Sequence, residues 1–216
     1  MCARSLMVLA LLPGGCGQND LTGSDPIPEK LLSPPHEPPQ SRPASVVFVE
    51  YVVTPHDVVA QMLKLAHVRS DDVVYDLGCG DGRILIAAAK KYGCQAVGFD
   101  LDHLRVEEAR ANAEENHVAD RVTVELKDVL DVDLRGATVV TLYLGTELNR
   151  KLVPQLRQLA PGSRIVSHNF GIEGFTPDKV VRMTSHEDHE EHLIYLWTCP
   201  LQEAPPAERQ KPPSNR

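Results

Sequence analysis

Two kinds of apolar pattern alternate along this chain. Short, nearly continuous runs of β-formers, at Val73–Leu77, Gln95–Asp100, Ala137–Tyr143 and Arg164–His168, predict strands buried on both faces, and Arg121–Lys127 adds another. Between them lie segments with helical spacing. Ile84 to Tyr92, about His103 to Asn116, and Glu147 to Leu159 read as helices, the last ended by Pro161-Gly162. Glu107, Glu108, Arg110, Glu114 and Glu115 give the second of these a solvated face. An earlier helix is predicted to run to about His67, with Val58, Val59, Met62, Leu63, Leu65 and Ala66 on its apolar side. Thr54 is expected at its N-cap, Pro55 at its first position and Asp57 reaching back. Near the end, Asp178–Met183 and Leu193–Thr198 follow one another with no helical segment between them, which predicts an antiparallel hairpin. Strands alternating with helices and then a hairpin describe an α/β fold: a mostly parallel sheet with helices on both faces.

The turn between the first strand and its helix, Gly78-Cys-Gly-Asp-Gly82, carries the clearest chemistry. Residues without Cβ let the backbone approach a ligand, and free N–H groups at the helix start favour an anionic or polar ligand group. The glycines are spaced G-x-G-x-G, not the G-x-G-x-x-G of a dinucleotide loop. Asp76 stands two residues before the first of them, and Asp100 ends the next strand, where an acid holds a ribose in either kind of fold.

Asp76 to Gly82, with Asp100, resembles the first motif and following acid of class I S-adenosylmethionine-dependent methyltransferases. Tyr51 with Thr54-Pro55 is similar to a short segment before that motif in the subgroup of mitochondrial-type protein-lysine methyltransferases. The resemblance spans about Phe48 to Pro200. It implies a Rossmann-like seven-stranded sheet and S-adenosylmethionine as cofactor. It also implies a cofactor site of Asp76, Gly78, Gly80, Gly82 and Asp100, with Asp128 at the adenine amino group and Tyr51 and Thr54 lying over the cofactor. The implied reaction is methyl transfer to an acceptor that the motifs do not identify, a protein lysine or a small molecule. Many amino-methylating relatives carry Asn or Asp with Pro-Pro-Tyr at the end of the fourth strand, where this chain has Thr141-Leu-Tyr-Leu144. Tyr143, His168 and Asn169, at the carboxyl ends of adjacent strands, are the catalytic candidates on the acceptor side. Two other readings stay open. An NAD-dependent oxidoreductase would share Asp100 but is opposed by the loop spacing and the hairpin. A catalytically silent, anchored binding domain would keep the fold without the acids and glycines that this chain retains.

Composition narrows the partners. With 216 residues and 42% hydrophobic content the chain suits one domain with tails. The net charge of −8 disfavours a nucleic-acid surface. The five cysteines are scattered and suggest neither disulfides nor zinc. His186, His189 and His192 do not share one face of a strand and read as part of a solvated acidic connection, so no metal is expected. The chain is expected to act as a monomer.

The ends differ from the middle. Arg4, the apolar run Leu6–Leu12 and Gly15-Cys16 resemble a bacterial lipoprotein signal over residues 1–16, with Cys16 the lipidated residue. Seven prolines between Gly17 and Ser45 make residues 17–45 an expected tether, which would hold a methyltransferase domain of residues 46–200 at a membrane surface. The alternative is an unstructured extension on a cytoplasmic enzyme. Residues 201–216 are expected to be a disordered tail.

Overall fold

The computed structural model of the protein describes residues 52–205. The expected start of the domain at residue 46, Tyr51, the tether and the Cys16 anchor lie outside the described residues. Within them the elements follow the order α1 (His56–Leu65), β1 (Val73–Leu77), α2 (Arg83–Tyr92), β2 (Gln95–Asp100), α3 (His103–Glu115), β3 (Val122–Leu126), β4 (Val139–Leu142), α4 (Thr146–Leu156), β5 (Arg164–His168), β6 (Lys179–Thr184) and β7 (Glu191–Thr198).

The seven strands form one sheet in the order β3-β2-β1-β4-β5-β7-β6. The first five are parallel, and β7 runs antiparallel between β5 and β6. Strand order reverses between β1 and β4, so the crevice at their carboxyl ends is where an open α/β sheet binds its ligand. Helices α1, α2 and α3 pack on one face around Met62, Leu63, Leu85 and Val106. Helix α4 covers the other face with Leu77, Leu142, Leu152 and Trp197. The side chains of Leu63, Leu85, Leu142 and Leu152 are fully withdrawn from solvent, and each such burial stabilises the fold by about 1.5–3 kcal/mol.

At the amino edge of the sheet a polar cluster ties elements together. Asp72, 3% exposed, accepts from Thr138 Oγ1 at 2.7 Å and from Arg69 N at 2.7 Å, and pairs with Arg164 at 2.6 Å. Arg164 also donates to the carbonyl of Ala66, so β1, β4, β5 and the end of α1 meet on one carboxylate.

Three expectations are corrected. Helix α1 is capped by Pro55 with no side-chain bond, because the Thr54 hydroxyl faces His168 instead. Asp57 does not reach back. Its oxygens accept from Val58 N, Ser185 Oγ and His186 N, which binds the β6–β7 turn to the start of α1. The tail does not begin at 201: Thr176 N donates to Gln202 O, Ala204 N donates to Gly174 O, and Phe175 bridges Glu203. Leu201 and the buried Ala204 supply the apolar contact that a purely polar tail would lack.

Candidate functional site

Gly78, Gly80 and Gly82 all have left-handed φ, of 76°, 53° and 80°, a region that costs a side-chain-bearing residue strain. The loop they form closes on itself more than expected. Gly78 N and Cys79 N both donate to Phe99 O, Gly82 N donates to Cys79 O, Arg83 N to Asp81 Oδ1, and Gly80 N to Asp100 Oδ2 at 2.9 Å. The expectation of free N–H groups for an anion is therefore corrected: these donors already have acceptors, as they would not in a loop built for pyrophosphate.

Close packing holds the loop in place. A Cβ on Gly98 in β2 would stand 2.5 Å from Leu85 Cδ1 and 2.7 Å from Cys79 Sγ, so this glycine is what lets the loop lie against β2. A Cβ on Gly82 would come within 3.0 Å of Ala109 Cβ. Asn112 of α3 donates to Asp81 O at 2.9 Å. Burial pushes the Cys79 thiol far up, leaving it an inert filler.

Four carboxylates face this edge from successive segments, each with different partners. Asp76, 3% exposed at the end of β1, receives the Thr141 hydroxyl of β4 at 2.5 Å. Burial, reinforced by the charges of Asp100 and Asp81, pushes it up to about 7. Burial also opposes the charge of Asp81, but the Arg83 guanidinium at 2.6 Å prevails and holds it below the usual range. Asp100 accepts from Gly80 N and, through Oδ1, from Asp102 N at 2.9 Å. Asp128 uses Oδ1 to cap the 3₁₀ turn Val129–Asp131, which is the turn role that Lys127-Asp128 suggests by itself. An edge lined this way fits a ligand bearing positive charge and hydroxyl donors, and opposes a phosphate-bridged dinucleotide.

The acceptor-side candidates sit next to one another. The Tyr143 ring stands 4.0 Å from the His168 ring and 5.9 Å from Phe170, centroid to centroid. Burial raises the Tyr143 phenol, against a hydrogen bond from the Asn169 side chain. Asn169 adopts φ 57° and its Oδ1 accepts from Leu193 N, so its carbonyl holds β7. His168 is fully buried with both ring nitrogens engaged, Nδ1 with Thr54 Oγ1 at 3.1 Å and Nε2 with His192 Nδ1 at 2.8 Å. Burial and its neighbour His192 lower it to about 3, so it is neutral at any ordinary pH.

Several of these partners escaped the sequence. His192 belongs to β7 and is 6% exposed, whereas His186 and His189 stay on the surface. Its inward position was readable from the alternation of His192, Ile194 and Leu196 along one strand face. Asn149 of α4, also fully buried, donates to the carbonyls of Phe170 and Gly171 at 3.2 Å and pins the loop after β5. No short motif marks it. Among the described residues no cluster of three or more metal-ligating side chains occurs.

Comparison with known proteins follows the same lines. Residues 76–179 match the family described as the ANTKMT methyltransferase domain. A protein-lysine N-methyltransferase of Saccharolobus islandicus is 45% identical over 154 residues, covering 70% of this chain and 94% of that protein. A ribosomal protein L11 methyltransferase of Pasteurella multocida is 42% identical over 89 residues, 41% of this chain and 30% of that one. Among solved structures, an RNA methyltransferase of Salinibacter ruber in complex with S-adenosyl-L-homocysteine aligns with a TM-score of 0.65 and 42% identity, over 74% of this chain and all of that one.

Proposed function

Because the chain belongs to the class I S-adenosylmethionine-dependent methyltransferases, we propose that the nitrogen it methylates is the ε-amine of a protein lysine. The observation that carries this reading is the charge of the ligand edge. Asp57, Asp81, Asp100, Asp128, Glu187 and Asp188 all belong to segments at the carboxyl ends of the parallel strands; of the cations there besides Lys127, Arg83 pairs with Asp81, Arg105 with Glu108, and Arg150 and Lys151 with Glu147. Such a rim attracts a lysine-bearing segment and repels the phosphates of RNA, to which the relative from Salinibacter ruber is assigned.

Bound S-adenosylmethionine supplies a methyl group on a sulfonium, a ready electrophile. The chain's own task is then to bind, orient and exclude. Asp100 and the glycine loop fit the ribose, Asp128 keeps Oδ2 for the adenine amino group, and Asp76 offers a buried carboxyl complementary to a cationic ligand group. Tyr143, partly exposed beside His168, is the acceptor-side surface against which an alkyl amine is held in line, and proximity supplies much of the acceleration. The direct experiment supplies the full chain with radiolabelled S-adenosylmethionine and either the proteins or the RNA of a cell extract. Recovery of ε-N-methyllysine after hydrolysis supports the reading; label confined to nucleosides refutes it.

We further propose that Cys16 is lipidated and that residues 17–45 tether the enzyme, as a monomer, to a membrane surface. Support comes from the order of apolar run, small residue, cysteine and proline-rich stretch. Mass spectrometry of the natural N-terminus tests it: a diacylated peptide beginning at Cys16 is expected, and an unmodified chain retaining Met1 or Cys2 overturns it. Sedimentation of the full chain tests the monomer.

A further inference from the structure

A string of polar side chains runs from the hairpin turn to the edge of the glycine loop. Asp188 lies 3.2 Å from His192 Nε2, His192 Nδ1 lies 2.8 Å from His168 Nε2, and His168 Nδ1 lies 3.1 Å from Thr54 Oγ1. The string crosses three separate parts of the chain, β7 with its preceding turn, the end of β5 and the segment before α1.

Its polarity follows from its outer end. The Glu190 N–H, aided by His192, holds Asp188 below the usual carboxylate range, so Asp188 is ionised and only accepts. His192 must therefore carry its proton on Nε2, which leaves Nδ1 bare. That bare nitrogen requires Nε2–H on His168, whose own Nδ1 is then bare and requires the hydroxyl proton of Thr54. With its proton committed inward, Thr54 Oγ1 has lone pairs only, and among the described residues none donates to them. Hydrogen bonds in a row polarise one another, so the charge of Asp188 is felt at Thr54.

The inner end meets the glycine loop. Thr54 O accepts from Arg83 Nη1 at 2.8 Å, and Arg83 grips Asp81 of the glycine loop. Thr54 itself is 4% exposed, and Val52 and Val53, which lead into it, are exposed.

We propose that Thr54 Oγ1 is an ammonium-binding acceptor whose direction is set by Asp188 through His192 and His168. The methyltransferase reading enters only in naming the two ammonium sources, the lysine acceptor and the amino-acid end of the cofactor. Thr54 is the contact residue, and the other three are positioning residues. The charged or titratable groups packed around the string are Asp188, Asp57 held by Ser185 and His186, Tyr143 stacked on His168, and the Arg83–Asp81 pair. One further proton, on His192 Nδ1, leaves the bond to Asp188 unchanged but reverses the two inner bonds and turns Thr54 into an outward donor, a state that binds ammonium less.

Nitrogen-15 NMR of the full chain reads the tautomers without any ligand. Both His168 and His192 are expected to carry a proton on Nε2, and a proton on Nδ1 of His168 overturns the proposal. The binding arms titrate S-adenosylhomocysteine, and poly-L-lysine in its presence, against the wild type, Asp188→Asn, Thr54→Val and Thr54→Ser. Asp188→Asn and Thr54→Val should each weaken one of the two ligands at least fivefold in a protein that still melts cooperatively, and Thr54→Ser should restore binding. Loss confined to S-adenosylhomocysteine assigns the cofactor ammonium, and loss confined to poly-L-lysine assigns the acceptor. Binding of both ligands within twofold of wild type in Asp188→Asn and Thr54→Val overturns the proposal. Failure of the wild type to methylate poly-L-lysine would count against the lysine reading alone, since the tautomers and the S-adenosylhomocysteine titration still judge Thr54.

Discussion

Asp76 makes the ligand-free protein weaker as the pH rises through neutrality. Its carboxyl titrates near 3.8 in an unfolded chain and near 7 in the fold, because burial disfavours its charge. Between those values the folded state holds a proton that the unfolded state has lost. The group's contribution is therefore complete below pH 4, declines as pH rises, and levels off above 7. Linkage between pH 5 and pH 8 amounts to roughly 2.5 kcal/mol, and at about 2–4 °C per kcal/mol for a domain of this size that is a fall of about 5–10 °C. The neighbouring Asp57, Asp72, Asp81 and Asp188 are all shifted downward, so they act with the opposite sign and below this window. Asp76→Asn keeps the Thr141 hydroxyl bonded and cannot ionise. Scanning calorimetry of both proteins at pH 5 and pH 8 should show the variant gaining on the wild type by that margin at the higher pH. Parallel melting temperatures across the window would refute the desolvation argument. Saturating S-adenosylhomocysteine should narrow the gap if its ammonium faces Asp76.

Asp100→Ala removes the acceptor of Gly80 N and Asp102 N and should weaken S-adenosylhomocysteine binding by about 1–3 kcal/mol in a folded protein, as calorimetric titration would show; undiminished affinity would remove Asp100 from the cofactor site. Gly98→Val forces atoms into Leu85 and Cys79 and should cost about 1–3 kcal/mol in urea unfolding, with cofactor binding lost as the loop is displaced. A chain ending at residue 205 should melt with the full chain, whereas one ending at 200 loses the pairing to Gly174, Phe175 and Thr176 and should melt several degrees lower; equal melting of the two would show that the final pairing contributes nothing.

What the sequence could show depended on how far apart the partners are. The strands and helices came from local periodicity, and the five parallel strands with a closing hairpin are as expected. The placement of Asp76, Asp100 and the glycines at the carboxyl edge of the sheet was legible because one turn and one following strand carry them. The Thr54 to His168 bond spans 114 positions and the Asp57 to Ser185 bond 128, and no local pattern encodes such pairings. Thr54 and Asp57 therefore looked like an ordinary helix cap. His192 was misplaced for a smaller reason: β7 begins two residues earlier than Leu193, which moves the histidine from the connection into the strand. The self-satisfied loop donors were hidden because Phe99 O and the Asp100 side chain supply their acceptors across a strand boundary.

The position of β7 between β5 and β6 has a consequence for synthesis. Because among the described residues β6 pairs in the sheet with β7 alone, it must wait for β7 to emerge before it can join. Until His192 and Leu193 leave the ribosome, the glycine loop and its acids can form, but Asn169 lacks the backbone N–H it accepts from and His168 lacks its outer neighbour. A product ending before β7 would thus carry an assembled glycine loop beside an unfinished end of β5. In this topology the surroundings of Tyr143, His168 and Asn169 are completed only when β7 has been made.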